Sequence, residues 1–318
     1  MIRFIALALI LISGLAHAQD DSLPPLVDAA WLKANLDQET LVVLDVRSGI
    51  DNGGDRSSFQ NAHIPGSIYS SYTGDGWREI RDGVTGLLPP VESLERLIGG
   101  LGIGNDDTVV VVPAGTGVTD FGSAARVYWT FRVLGHDDVT ILNGGFAGWQ
   151  AAGFDVASGA PDRREFADFR GELQPALLAS LEEVQQARDT QAQLVDARPA
   201  DYFRGDTKAS VAKSPGTIPG ARNLPHSDFL GQQNEAWYLN ADQIRGRVNS
   251  AELNADTRTI AFCNTGHWAA TDWFVLSELA GFEEVALYDG SMAQWSSDSN
   301  RPLQVAKRGL GKLMDWFN

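Results

Sequence analysis

The chain has 318 residues, a formal net charge of −16 and a single cysteine. That length fits two globular domains, and 43% hydrophobic with 21% charged residues fits folded cores rather than disorder. The acidic balance argues against a nucleic-acid or anionic-membrane partner, one cysteine excludes an internal disulfide or a Cys-rich zinc site, and no pair of histidines has HExxH-type spacing.

In chain order, Arg3 precedes an apolar stretch from Phe4 to Leu15, which ends in Ala16-His17-Ala18. This pattern predicts a secretory signal over residues 1–18, cleaved before Gln19. Its apolar core of about 12 residues falls short of the roughly 20 needed to span a bilayer. The expected product is periplasmic, in a bacterium, and free of the membrane once cleaved. In such a compartment an odd cysteine is either buried and inert or a thiol kept for its reactivity.

Residues 24–157 read as a first α/β domain. Leu41–Val46, Thr108–Val112 and Val139–Leu142 are continuous apolar runs, which suit buried parallel strands. Ala124–Leu134 has helical spacing and ends at Gly135, a residue suited to closing a helix. Residues 158–175 are polar and read as a linker. Residues 176–300 read as a second domain, with strands at Gln193–Asp196, Thr259–Phe262 and Glu284–Tyr288 and a helix at Ala269–Ala280 closed by Gly281. Alternating strands and helices predict a parallel sheet with helices on both faces in each domain. Residues 301–318 mix Lys307, Arg308 and Lys312 with Leu310, Leu313, Met314, Trp316 and Phe317, and read as a terminal helix docked on the body.

The two domains are copies. Leu44-Asp45-Val46-Arg47 matches Val195-Asp196-Ala197-Arg198, Ile64-Pro65-Gly66 matches Ile218-Pro219-Gly220, and Asn143-Gly144-Gly145 with Trp149 matches Asp289-Gly290-Ser291 with Trp295. A repeated offset of roughly 150 positions marks duplication of a whole domain.

The single cysteine opens the loop Cys263-Asn264-Thr265-Gly266-His267-Trp268, between the strand ending at Phe262 and the helix expected from Ala269. Ligands of open parallel sheets bind outside the carboxyl ends of the strands. A loop entering a helix there presents unpaired backbone amides, which stabilise an anion such as a thiolate. The corresponding stretch of the first copy, Val112 to Asp120, has no cysteine and is about four residues longer, so the first copy reads as a wall of the cleft.

These motifs together resemble the tandem-domain rhodanese family, the thiosulfate and 3-mercaptopyruvate sulfurtransferases. The resemblance covers nearly the whole mature chain and implies two rhodanese-like domains, with catalysis only in the second. It implies a two-step transfer in which Cys263 takes sulfur from a small anionic donor, becomes a persulfide and passes the sulfur to a thiol or cyanide acceptor. It also implies that Arg198 and Arg204 bind the donor or support the site, with a structural strand-end pair of Arg198 and Asp196 as the alternative for the first, and Arg204→Ala is expected to raise the donor KM. No cofactor and no metal are expected. His267 is expected to hydrogen-bond or partly charge near the substrate or else to face solvent, and Trp268 to shield the persulfide or pack inward. His63, His136 and His226 read as structural.

The loop departs from patterns familiar in the family. Neither Arg-Lys nor Gly-Ser/Thr-Gly-Val-Thr follows the cysteine. Thiosulfate is preferred as donor because it is stable outside the cell, with 3-mercaptopyruvate as the alternative. A non-catalytic sulfur carrier or redox-sensing module is the alternative to an enzyme. A Cys-x5-Arg phosphatase is disfavoured, because position 269 is Ala, and a cysteine protease because no base-bearing signature surrounds Cys263.

Overall fold

The computed structural model describes residues 23–160 and 164–306. The expected signal segment and the tail beyond residue 306 lie outside the described residues. Among the described residues no helix is long and apolar enough to cross a membrane.

The first half contributes strands β1 (Leu26–Val27), β2 (Leu41–Asp45), β3 (Ile68–Tyr69), β4 (Glu79–Arg81), β5 (Val84–Leu87), β6 (Thr108–Val112) and β7 (Val139–Leu142). The second contributes β8 (Gln193–Asp196), β9 (Arg222–Asn223), β10 (Leu230–Gln233), β11 (Ala236–Leu239), β12 (Thr259–Phe262) and β13 (Val285–Leu287). Five strands of the first half form a sheet in the order β1-β7-β6-β2-β3, and four of the second form one in the order β13-β12-β8-β9. Every pairing within these two sheets is parallel. The runs are apolar because both faces are covered: β2, β12 and β13 are buried at every position.

The two sheets share a core. The helix Phe121–Val133 starts before the expected Ala124, and its face meets the helix Trp268–Phe274 of the second half. Tyr128 stands edge-on to Phe274 at 4.9 Å, and Phe121 meets the same ring at 5.8 Å. Each such aromatic pair adds about 0.5–1.5 kcal/mol beyond the area it buries. The second helix was expected to run unbroken to Ala280. It changes instead to a π-helical turn over Val275–Leu279, which keeps Val275 and Leu276 in the shared core.

The segment expected as an inter-domain linker is tied to the first half. The amides of Ala167, Glu172 and Gln174 donate to the carbonyls of Gly99, Leu134 and Val133. Phe169 is buried edge-on to Phe131. Its polar composition reflects an exposed outer side, while one inward ring anchors it.

Two hairpins complete the fold, and each crosses to the other half. The hairpin β4–β5 turns at Asp82-Gly83, both in the left-handed region, the Asp-Gly pair that favours a tight hairpin. It leads to Leu88, whose amide donates to Asp289 Oδ2 at 2.6 Å. The hairpin β10–β11 does the reverse: the Trp237 amide donates to Gly115 O, and the Leu239 amide to Asn143 Oδ1. Asn143 and Asp289 occupy matching places in the repeat, so the exchange follows the duplication. Its effect is to bring first-half side chains onto the cysteine loop.

Candidate active site

Cys263 follows the last residue of β12 and is nearly fully buried. It lies on the wall of a cavity of about 200 Å³, lined also by Asn264, Thr265, His267 and Trp268 of its own loop and by Ile50, Arg78 and Thr119 of the first half. The site is therefore composite, although its cysteine and loop belong to one copy.

The loop is anchored from behind by Ser291. Its hydroxyl accepts from the amides of Cys263 (3.0 Å) and Gly266 (3.1 Å) and donates to the Tyr288 carbonyl (2.8 Å). Ser291 holds this position with φ of 47°, in the left-handed region. That conformation costs a residue with a side chain about 1–2 kcal/mol. The matching residue of the first half is Gly145, with φ of 56°, which adopts it freely. The second half thus accepts strain in order to place a hydroxyl behind the cysteine. The carbonyls of Cys263 and Asn264 accept from the amides of Met292 and Ala293. The amides of Asn264, Thr265, His267 and Trp268 have no acceptor among the described residues. With the helix Trp268–Phe274 starting at the same point, the loop offers a set of donors suited to an anion.

His267 neither faces solvent nor carries charge. Its Nε2 lies 2.9 Å from the Thr119 carbonyl and its Nδ1 2.9 Å from the Tyr72 hydroxyl. A carbonyl only accepts, so Nε2 bears the proton and Nδ1 accepts from Tyr72. Burial, reinforced by Arg78, holds the ring's pKa well below the usual histidine value. His267 is a neutral strut between the two halves. Trp268 is clamped by rings: His226 stacks on it at 4.7 Å and Tyr202 meets it edge-on at 6.1 Å. Trp268 forms part of the cavity wall. His226 Nδ1 donates to the Ala197 carbonyl, and burial lowers this histidine to about 4.

Neither arginine expected to bind the donor lines the cavity. Arg198 is buried and spent on structure. It forms a bidentate pair with Asp196 at 2.6 and 2.8 Å and donates to the Gly216 carbonyl. Asp45 and Arg47 make the same strand-end pair in the first half. Arg204 is half exposed and pairs with Asp206. The cations at the site come from the first half, where sequence reading assigned none. Arg78, just before β4, reaches the cavity with its guanidinium over the Tyr72 ring at 4.7 Å and its Nε without a partner among the described residues. Arg126 lies behind the loop, donating to the carbonyls of Gly266 and Gly86.

In the first half Pro113 stands where Cys263 does. The Phe146 amide donates to Pro113 O as the Met292 amide does to Cys263 O. The loop's amides there are taken by the chain's own carboxyls. Asp120 Oδ2 accepts from Gly115, and Asp51 Oδ2 from Thr119 and Asp120. Burial pushes the Asp120 carboxyl up to about 7. The carboxyls of Asp51 and Asp120 thus occupy the amides of this loop, whereas the matching amides of the cysteine loop have no acceptor among the described residues.

Comparison with known proteins agrees with this architecture. A rhodanese-like domain model matches residues 28–152 and 180–298. The human 3-mercaptopyruvate sulfurtransferase is 31% identical over 291 residues, covering 90% of this chain and 89% of its own length. The mitochondrial thiosulfate/3-mercaptopyruvate sulfurtransferase 1 of Arabidopsis thaliana is 30% identical over 317 residues, covering 92% and 81%. Among solved structures, a 3-mercaptopyruvate sulfotransferase from Escherichia coli superposes with a TM-score of 0.72 at 26% identity, over 85% of this chain and 99% of its own.

Proposed function

The chain belongs to the rhodanese family and is a sulfurtransferase, and from that premise we propose that it moves the sulfane sulfur of thiosulfate to a thiol or cyanide through a persulfide on Cys263. The observation that carries this reading is the meeting of the only cysteine, the unpaired amides of residues 264, 265, 267 and 268, and the Arg78 guanidinium at one small cavity.

In the first step the Cys263 thiolate attacks the outer sulfur of thiosulfate. A new S–S bond forms, the donor's own S–S bond breaks, and sulfite leaves with the electron pair. In the second, the acceptor attacks the outer persulfide sulfur and the thiolate departs, so cyanide becomes thiocyanate. The loop amides hold the anionic sulfur in both states without reorganising. Arg78 pairs with the donor's sulfonate oxygens, and Trp268 with Ile50 keeps water from the reacting sulfur.

A compact dianion suits one arginine at the rim of a cavity of about 200 Å³. Arg198 and Arg204, expected to bind the donor, pair instead with Asp196 and Asp206. The direct test is kcat/KM for thiosulfate and for 3-mercaptopyruvate, measured side by side. Thiosulfate is expected to be the better donor; a higher value for 3-mercaptopyruvate would reverse the assignment. Arg78→Met is expected to raise the thiosulfate KM about ten-fold or more, the loss of one charge-assisted contact, with kcat little changed. Arg204→Ala serves as the control, with an unchanged KM. An unmoved KM in the Arg78 variant removes that residue from donor binding.

The proposed setting is the bacterial periplasm, on the signal pattern of residues 1–18. Protein recovered from a periplasmic fraction is then expected to begin at Gln19, and an intact Met1 terminus would contradict export.

A further inference from the structure

Sulfur transfer by Cys263 leaves one expensive group unexplained. Arg126, on the helix Phe121–Val133 of the first half, is fully buried. A guanidinium withdrawn from water is strongly unfavourable unless a carboxylate compensates it closely. The carboxylate it approaches, Asp289, stays 3.8 Å away and already accepts the Leu88 amide at 2.6 Å. Among the described residues Arg126 Nε has no partner. Its other nitrogens bond only to carbonyls, Nη1 to Gly266 at 3.1 Å and Nη2 to Gly86 at 2.9 Å, while the Trp129 ring lies under the guanidinium at 4.6 Å.

The bond to Gly266 has a geometric consequence. In a planar trans peptide the C=O and N–H point in opposite directions. Holding the Gly266 carbonyl against Arg126 turns the His267 amide away from Arg126; that amide has no acceptor among the described residues, and His267 lines the cavity. The approach is as close as glycine alone allows. Gly266 has φ of 71°, and a Cβ there would stand 2.5 Å from Arg126 Nη1.

We infer that Arg126 is a positioning residue for the transfer: it fixes the Gly266–His267 peptide so that the His267 amide faces the sulfur anion, and it supplies the buried positive charge that this anion balances. The inference rests on the reading of Cys263 as the nucleophile. It gives the first half, which has no nucleophile, a direct part in the reaction.

The other groups around Cys263 leave room for this role. Arg78 adds positive charge at the cavity wall. His267 and His226 are neutral, and Tyr72 is a phenol whose pKa burial raises further. Asp272, on the helix Trp268–Phe274, is buried with neither oxygen partnered among the described residues, and burial raises its pKa well above the usual carboxylate value, which favours the neutral acid. Asp289 lies behind Gly266 and is engaged with Leu88.

Because Cys263 is the only cysteine, its alkylation by iodoacetamide as a function of pH reads its ionisation with no sulfur donor present. In full-length Arg126→Met the alkylation midpoint is expected to move up by about one pH unit. The kcat for sulfur transfer is expected to fall about ten-fold or more, with the donor KM held within about two-fold. Arg126→Lys keeps the charge but cannot bridge both carbonyls, so its midpoint stays near that of the parent while kcat still falls. An unmoved midpoint in a cooperatively melting Met variant overturns the proposal. If the Met variant does not fold, the Lys variant decides: a parental kcat there overturns the positioning role. Failure of the nucleophile reading shows separately, as turnover by Cys263→Ser.

Discussion

Cys263→Ser is expected to melt as the parent does and to form no thiocyanate above background from thiosulfate and cyanide. The substitution exchanges one small buried atom for another, so the amides that Ser291 holds and the cavity walls are unaffected. The alcohol, however, has no accessible anionic form to attack a sulfur, and the rate falls by several orders of magnitude. The loss must appear in kcat, with thermal denaturation run alongside to show the fold intact. Measurable turnover by the serine variant would sink the mechanism, although not the family assignment.

The second large effect is expected at Ser291. Ser291→Ala removes the acceptor of two buried amides, those of Cys263 and Gly266, and keeps the strained backbone. Each orphaned buried amide costs about 1–3 kcal/mol, and a loop displaced by a fraction of an ångström lowers the rate by roughly ten- to hundred-fold. Ser291→Gly also loses the hydroxyl but relieves the left-handed strain, as Gly145 does in the first half. The glycine variant is therefore expected to be more stable than the alanine variant and comparably slow. Urea unfolding and kcat measured on both separate strain from anchoring. Full activity in the alanine variant would show that the loop holds its shape without Ser291.

The parts legible in the sequence were those set by local pattern. The runs at 41–46, 108–112 and 259–262 are apolar at consecutive positions because parallel strands bury both faces, and they became β2, β6 and β12 nearly to the residue. The matched words survive because each makes the same local contact twice: Asp45 with Arg47, and Asp196 with Arg198. That same contact bears out the reading of Arg198 and Asp196 as a structural strand-end pair. Its carboxylate lies two positions upstream and takes the guanidinium. What local pattern does not carry is the contribution of the first half to the cavity. Tyr72 and His267 are 195 positions apart, and Arg126 and Gly266 are 140 apart. The hairpin that brings Arg78 to the cavity did have a signal, the Asp82-Gly83 pair between short strand-forming runs. Ser291 stood within a matched word, but its role depends on a positive φ that the word does not disclose.

The central claim is that sulfur rests covalently on Cys263 between donor and acceptor. Intact-protein and peptide mass spectrometry after incubation with thiosulfate alone tests this most directly. The predicted result is a gain of one sulfur atom on the peptide bearing Cys263, with sulfite released in equal amount and the added sulfur recovered as thiocyanate when cyanide follows. Transfer of sulfur to cyanide with Cys263 unmodified throughout, or with the sulfur on any other residue, would contradict it.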